Sequence, residues 1–213
     1  MHLTYRFAYH LFRTISHGYF GCDVYNSERV PLEGPVILAS NHASFYDPFL
    51  VGCMIKREIF YLARKTAFFF PLGPVIKSWN AVPVDRDGGG PKGMMQIIGH
   101  LQSGKAIVLF PEGTRTNDGQ LQPVRAGIGF IVIKSTAPVV PVRVFGAYEA
   151  WNRKMIFPRP RHRLAVKYGH PMQFAALREE AQTCSRERLK TIYQEVADQI
   201  MANIRDLKPC RDD

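Results

Sequence analysis

Val36-Ile37-Leu38-Ala39-Ser40-Asn41-His42-Ala43-Ser44-Phe45-Tyr46-Asp47-Pro48 opens with five apolar or small residues in which no polar position alternates. A strand buried on both faces has this pattern, because neither face tolerates a charged side chain. Asn41 and His42 end the run abruptly, and Pro48 suits the first position of a helix. Strand, short polar turn and helix form the unit from which parallel α/β sheets are built. In such sheets ligands bind beyond the carboxyl ends of the strands, so the turn at residues 41–47 is expected to face a crevice.

Around that stretch, residues 59–63, 81–84, 106–110, 139–145 and 164–168 are further apolar runs of strand length, rich in β-branched side chains. Residues 48–57, 91–103, 124–135 and 186–207 carry helical patterns, two of them opening with proline, and Gly104 suits the end of the second. The alternation predicts an α/β fold: one domain, with a mixed, mostly parallel central sheet flanked by helices. A chain of 213 residues buries one such core and is short for two. Gly88, Gly89 and Gly90 read as a flexible connection, and the tail at 208–213 as frayed.

Residues 1–20 stand apart. Leu3, Phe7, Leu11 and Ile15 recur every fourth position, Arg6, His10, Arg13 and His17 mark another face, and the segment contains no acid. Either a helix packed on its own domain or a basic amphipathic helix in a membrane interface fits that pattern. The expected division is an N-terminal amphipathic helix over 1–20, interfacial on the second of these readings, and one domain over 21–213. Residues 66–76 are almost wholly apolar but interrupted by prolines and glycine, which fits a core turn or an acyl or membrane contact.

Lysine and arginine number 28 against 18 acids, a formal net charge of +10 that favours partners bearing phosphate or other anions. Nucleic acid, anionic lipid and acidic carrier proteins all qualify. Cys22, Cys53, Cys184 and Cys210 lack zinc spacing and read as small hydrophobes in a reducing compartment. No run reaches the about 18 apolar residues of a spanning helix, and no cleaved signal is evident. The expected location is cytoplasmic, peripheral on the inner face of the cell membrane.

Three segments carry chemistry. An imidazole can take a proton from an alcohol when a carboxylate fixes its tautomer, and His42 and Asp47 suit those roles. Asp47 can equally be a helix cap and His42 an ordinary loop residue, and the spacing leaves Ser44 open as a nucleophile. Phe110-Pro111-Glu112-Gly113-Thr114-Arg115 follows another strand: Arg115 offers a planar fork for phosphate, Gly113 close backbone approach, and Thr114 a hydroxyl. Glu112 can bond an acceptor hydroxyl or hold a basic residue. Arg86, ending residues 82–86, adds a cation, and Arg64 and Lys65 after the strand at 59–63 add more, unless these are solvated surface charges.

In this order the segments resemble the motif blocks of the glycerolipid acyltransferase family, which contains the lysophosphatidic acid acyltransferases. Residues 41–47 resemble its N-H-x4-D block, 82–86 its arginine-bearing second block, 110–115 its F-P-E-G-T-R block and 139–142 its apolar-proline fourth block. The resemblance covers residues 36–145. It implies that His42 deprotonates the acceptor hydroxyl while Asp47 holds it, with no acyl-enzyme. By the same resemblance Glu112, Gly113, Thr114, Arg115 and Arg86, with Arg64 or Lys65, bind the glycerol phosphate of a lysophospholipid acceptor. The co-substrate implied is an acyl-CoA or acyl-carrier-protein thioester, with no other cofactor, no metal and no nucleic acid.

A non-catalytic basic binding module, for nucleic acid or anionic membrane, is the competing expectation. Arg153, Lys154, Arg159, Arg161, Arg163 and Lys167 occur without an acid, interleaved with Phe157 and preceded by Trp151. That reading leaves the His42–Asp47 and Glu112–Arg115 segments without a task.

Overall fold

Residues 2–84 and 91–212 are described by a computed structural model. Arg86 and the connection at 88–90 lie outside the described residues. The chain runs α1 (Leu3–Gly18), β1 (Asp23–Tyr25), β2 (Val36–Ser40), α2 (Asp47–Cys53), β3 (Ile59–Arg64), α3 (Leu72–Ser78), β4 (Ala81–Val84) and α4 (Pro91–Gln102). It continues through β5 (Ala106–Leu109), α5 (Gly127–Lys134), β6 (Val139–Phe145), α6 (Ala147–Trp151), β7 (Ala165–Tyr168), α7 (Ala175–Thr183) and α8 (Arg186–Asp206).

The seven strands form one sheet in the order β1-β7-β6-β2-β5-β3-β4. β6, β2, β5, β3 and β4 are mutually parallel, while β7 pairs antiparallel with β6 and parallel with β1. The expected mixed, mostly parallel sheet is thus present, and β2 lies at its centre. Alternate residues of β2 enter opposite cores: Val36 and Leu38 pack with the α1, α2 and α6 side, Ile37 and Ala39 with α4, α5 and α8. Helices on both faces explain why the strand is apolar throughout. Pro141, which lacks a donor, sits in β6 where pairing with β7 lapses after Tyr168 before the bridge from Val139 to Met172.

α1 packs through Tyr5, Ala8, Phe12 and Ser16, a different stripe from the one the sequence period picks out. Phe12 stacks on Phe49 at 4.3 Å between ring centroids, Tyr46 Oη donates to the Phe12 carbonyl (2.9 Å), and Tyr5 Oη accepts from the Ile59 amide (3.0 Å). Leu3 and Phe7 remain 82% and 65% exposed. The helix therefore belongs to the core on one side and leaves an apolar stripe on the other. No helix among the described residues is long and apolar enough to cross a membrane.

Two segments differ from expectation. Residues 72–78 form α3, because Pro74 falls in the first helical turn, where a missing amide donor costs nothing. The tail is strapped down through residue 212: the buried Lys167 ammonium donates to the Cys210 carbonyl (2.6 Å) and to Asp212 (2.6 Å), and Arg29 pairs with Asp212. A buried charge requires such partners, so Lys167 leaves the basic surface stretch.

α5 and α8 approach closely at Gly129, where a Cβ would lie 1.9 Å from the Tyr193 carbonyl oxygen. Backbone cannot yield as a side chain does, so Gly129→Ala is expected to cost about 1–3 kcal/mol of stability, read as a lower midpoint in denaturant. Soluble protein with a wild-type midpoint would refute this packing.

Candidate active site

The turn after β2 is organised by one carboxylate oxygen. Asp47, fully buried as the first residue of α2, turns back toward the strand instead of capping its own helix. Its Oδ2 accepts from the Ala43 amide (2.7 Å), the Ser44 amide (2.7 Å) and His42 Nδ1 (2.9 Å). With Nδ1 donating to the carboxylate, Nε2 is the basic nitrogen, and it has no hydrogen-bond partner among the described residues. The imidazole stacks on the Phe110 ring at 3.8 Å and 15°, which fixes its plane.

The loop after β5 holds the same histidine by its backbone. Glu112 Oε1 accepts from the His42 amide (2.8 Å), and the Thr116 amide donates to the His42 carbonyl (2.9 Å). Glu112 Oε2 accepts from the Gln122 amide (2.8 Å), leaving the side chain 2% exposed. Burial raises its pKa above the ordinary glutamate value, and the bonds from Gln122 and His42 oppose that rise. Glu112 thus ties the loop after β5 to the backbone of His42, with each carboxylate oxygen accepting one backbone amide.

On the other flank, Asn41 Nδ2 donates to the Val144 carbonyl (3.0 Å) and Asn41 Oδ1 accepts from the Val144 amide (2.8 Å). An amide side chain thereby extends the β2–β6 pairing past Ser40. Ser44 Oγ donates to the Trp151 carbonyl (2.7 Å) and accepts from the Tyr46 amide (3.1 Å). Buried and engaged in both directions, Ser44 is a strut, which closes the nucleophile alternative. Burial pushes the Cys22 thiol up to about 12 and Cys53 to about 11, so neither supplies thiolate at neutral pH.

Cations gather beside this pair. The Arg115 guanidinium lies 3.3 Å over the Phe45 ring, and its Nη1 is buried without a partner among the described residues. Burial, then the charge of Arg153, lowers the Arg115 pKa; Asp47 opposes this and Arg64 adds to it. Arg64, exposed at the end of β3, therefore shares the surroundings of Arg115. Lys65 starts a short 3-10 turn at the same sheet edge. Gly113 has φ +70°, and a Cβ there would meet Arg125 Cδ at 2.9 Å, so glycine serves both backbone and packing. Thr114 is exposed next to it.

The family model described as Acyltransferase matches residues 21–145. The chain belongs to the Acyltransferase family. It is similar to a 1-acyl-sn-glycerol-3-phosphate acyltransferase of Bacillus subtilis, 30% identical over 176 residues that cover 82% of this chain and 83% of that one. A Cocos nucifera protein of the same name is 28% identical over 163 residues, covering 74% of this chain and 52% of the other. In fold, the acyltransferase resembles the crystal structure of a 1-acyl-sn-glycerophosphate (LPA) acyltransferase from Thermotoga maritima, with a TM-score of 0.69 and 21% identity over 96% of this chain and 79% of that one.

Membership in an enzyme family sets aside the non-catalytic binding module. Sequence reasoning missed the tasks of Asn41, Ser44 and Glu112 in this acyltransferase, since each depends on a partner at least 70 residues away. Glu112→Gln keeps the shape but offers only one good acceptor, turning an NH2 group toward a backbone amide. The change is expected to cost about 1–3 kcal/mol of stability and, by displacing His42, about tenfold or more in turnover. Denaturant unfolding and initial rates read the two losses; wild-type values in both would remove the proposed tether.

Proposed function

We propose that this acyltransferase moves a fatty acyl group from an acyl-CoA or acyl-carrier-protein thioester to the free hydroxyl of lysophosphatidic acid, forming phosphatidic acid in phospholipid synthesis. The observation that carries this reading is an imidazole whose Nδ1 is held by a buried carboxylate, whose Nε2 is unpartnered, and whose neighbours include Arg115. The names of the sequence relatives support the acceptor class.

His42 Nε2 takes the proton of the acceptor hydroxyl as its oxygen attacks the thioester carbonyl. Asp47 stabilises the imidazolium that forms. The tetrahedral intermediate collapses, the carbon–sulfur bond breaks, and His42 returns the proton to the departing sulfur. The ester carbon–oxygen bond is formed without an acyl-enzyme. Arg115, with Arg64, Lys65 and Arg86, offers cations to the acceptor phosphate, while Gly113 and Thr114 line the approach.

His42→Ala is expected to lower turnover by roughly 10²–10⁴ with little change in melting temperature, and Asp47→Asn to lower it also. The assay supplies acyl-CoA and acyl carrier protein thioesters with a panel of lysophospholipids and weighs the ester products. Retained turnover in His42→Ala would overturn the mechanism, and no ester from lysophosphatidic acid with either donor would overturn the acceptor.

Delivery to an insoluble substrate is assigned to an anionic membrane surface on the cytoplasmic, inner face of the cell membrane. The exposed stripe Leu3, Phe7 and Leu11 and the exposed Phe69 and Phe70 supply apolar area, and Arg159, Arg161 and Arg163 supply charge. Because the other face of α1 is core, the informative variant is Leu3→Asp with Phe7→Asp, not removal of the helix. It is expected to sediment less with anionic vesicles at an unchanged melting temperature, and wild-type binding should fall with added salt. Unchanged sedimentation of the double variant would exclude α1 as the anchor.

A further inference from the structure

Arg153 lies outside every motif block, in the loop between α6 and β7, yet its segment is fastened both to the catalytic turn and to the loop that bears Arg115. Ser44, two residues past His42, bonds the carbonyl of Trp151, two residues before Arg153. Arg153 Nη1 donates to Asn117 Oδ1 (2.6 Å), and Asn117 is two residues past Arg115. Tyr148 Oη, from α6, donates to the Asn117 carbonyl (2.7 Å), so the loop bearing Arg115 and the segment bearing Arg153 are laced together.

The result brings cations of like sign together. The charge of Arg153 lowers the Arg115 pKa, an effect larger than the opposing one of Asp47, and Arg64 contributes repulsion as well. Arg115 already has one shielded Nη1 with no acceptor among the described residues. Gathering guanidiniums around an unfilled donor is unfavourable unless an anion joins them, and a phosphate accepts such forks in bidentate fashion.

We infer that Arg153 is a further ligand of the acceptor's phosphate, acting beside Arg115 and Arg64, and that it selects a doubly charged phosphomonoester over a phosphodiester headgroup. This rests on the lysophospholipid acceptor proposed above. A monoester presents three terminal oxygens and close to two charges near neutral pH, enough for more than one fork. A diester headgroup offers two free oxygens and a single charge, and its added substituent occupies the side from which an exposed guanidinium approaches. Arg153 thus contributes to recognition through charge and reach, while the proton transfer stays with His42.

The experiment measures KM for lysophosphatidic acid, KM for the acyl thioester and turnover of a lysophospholipid with a phosphodiester headgroup, in wild type, Arg153→Ala and Arg153→Lys. Asn117→Ala, which frees the guanidinium without removing it, is measured alongside. Arg153→Ala is expected to raise KM for lysophosphatidic acid about tenfold or more, with KM for the thioester within about twofold, and to narrow the preference for monoester over diester. Arg153→Lys should recover part of the loss, and Asn117→Ala should give a smaller rise. Glycerol 3-phosphate, used as a soluble probe, should compete less well against Arg153→Ala than against wild type.

A rise confined to the thioester KM would assign Arg153 to the donor's phosphates and overturn the inference. Wild-type kinetics with weaker sedimentation on anionic vesicles would return it to the membrane surface, which also overturns it. Wild-type failure to acylate lysophosphatidic acid would instead strike the proposed function itself. Because Arg153 is exposed, a melting temperature near wild type is expected and separates a binding defect from unfolding.

Discussion

The Oδ2 atom of Asp47 accepts three donors from three successive residues, and this arrangement sets the geometry on which the site depends. A fully buried carboxylate is costly unless donors surround it, and here the donors are the turn itself. The two amides make the backbone curl around the oxygen, and the imidazole completes the ring of donors. Orientation of the base and conformation of the loop are consequently a single interaction. Removing the carboxylate would release the histidine and leave two buried amides unpaired, so kinetic loss and structural loss at this residue are coupled.

Position in the sheet explains what surrounds that turn. β2 lies between β6 and β5, and all three strands run the same way, so their carboxyl ends deliver three loops to one edge. From the β5 side come Glu112 and Arg115. From the β6 side come the Val144 backbone, which receives Asn41, and the Trp151 carbonyl, which receives Ser44. β3 adds Arg64 at the same edge. A chemically modest set of residues becomes a site because the topology collects loops separated by long stretches of chain.

The central strands were legible because burial on both faces forces apolar, β-branched runs, whereas β1 was not. Asp23–Tyr25 is a three-residue edge strand whose acid and partial exposure erase that signal. α2 ends at Cys53 rather than at Arg57 because Arg57 leaves the helical path to donate to the carbonyls of Pro31 and Gly34 (2.6 and 2.7 Å), a bond set no helical period encodes. α7 carries mixed charges without a strong apolar stripe and was likewise invisible. His42 and Asp47 could be read because they are five residues apart and chemically matched. The tether through Glu112, the strut at Ser44 and the bond from Arg153 to Asn117 could not, because sequence does not display pairings across 36 to 107 residues.

Those same pairings bear on the order of folding. Asn41, His42 and Ser44 find partners 103, 70 and 107 residues downstream, so the turn that holds the base is closed by contacts of high sequence separation. Closing such large loops carries an entropic cost that local contacts do not share, and distant strand pairings tend to form slowly for this reason. The His42–Asp47 pair is local enough to form transiently early, but without β5 and β6 in place it has no frame and no neighbouring cations. Partly folded molecules are therefore catalytically silent, and the onset of activity during refolding marks the moment when the centre of the sheet has closed.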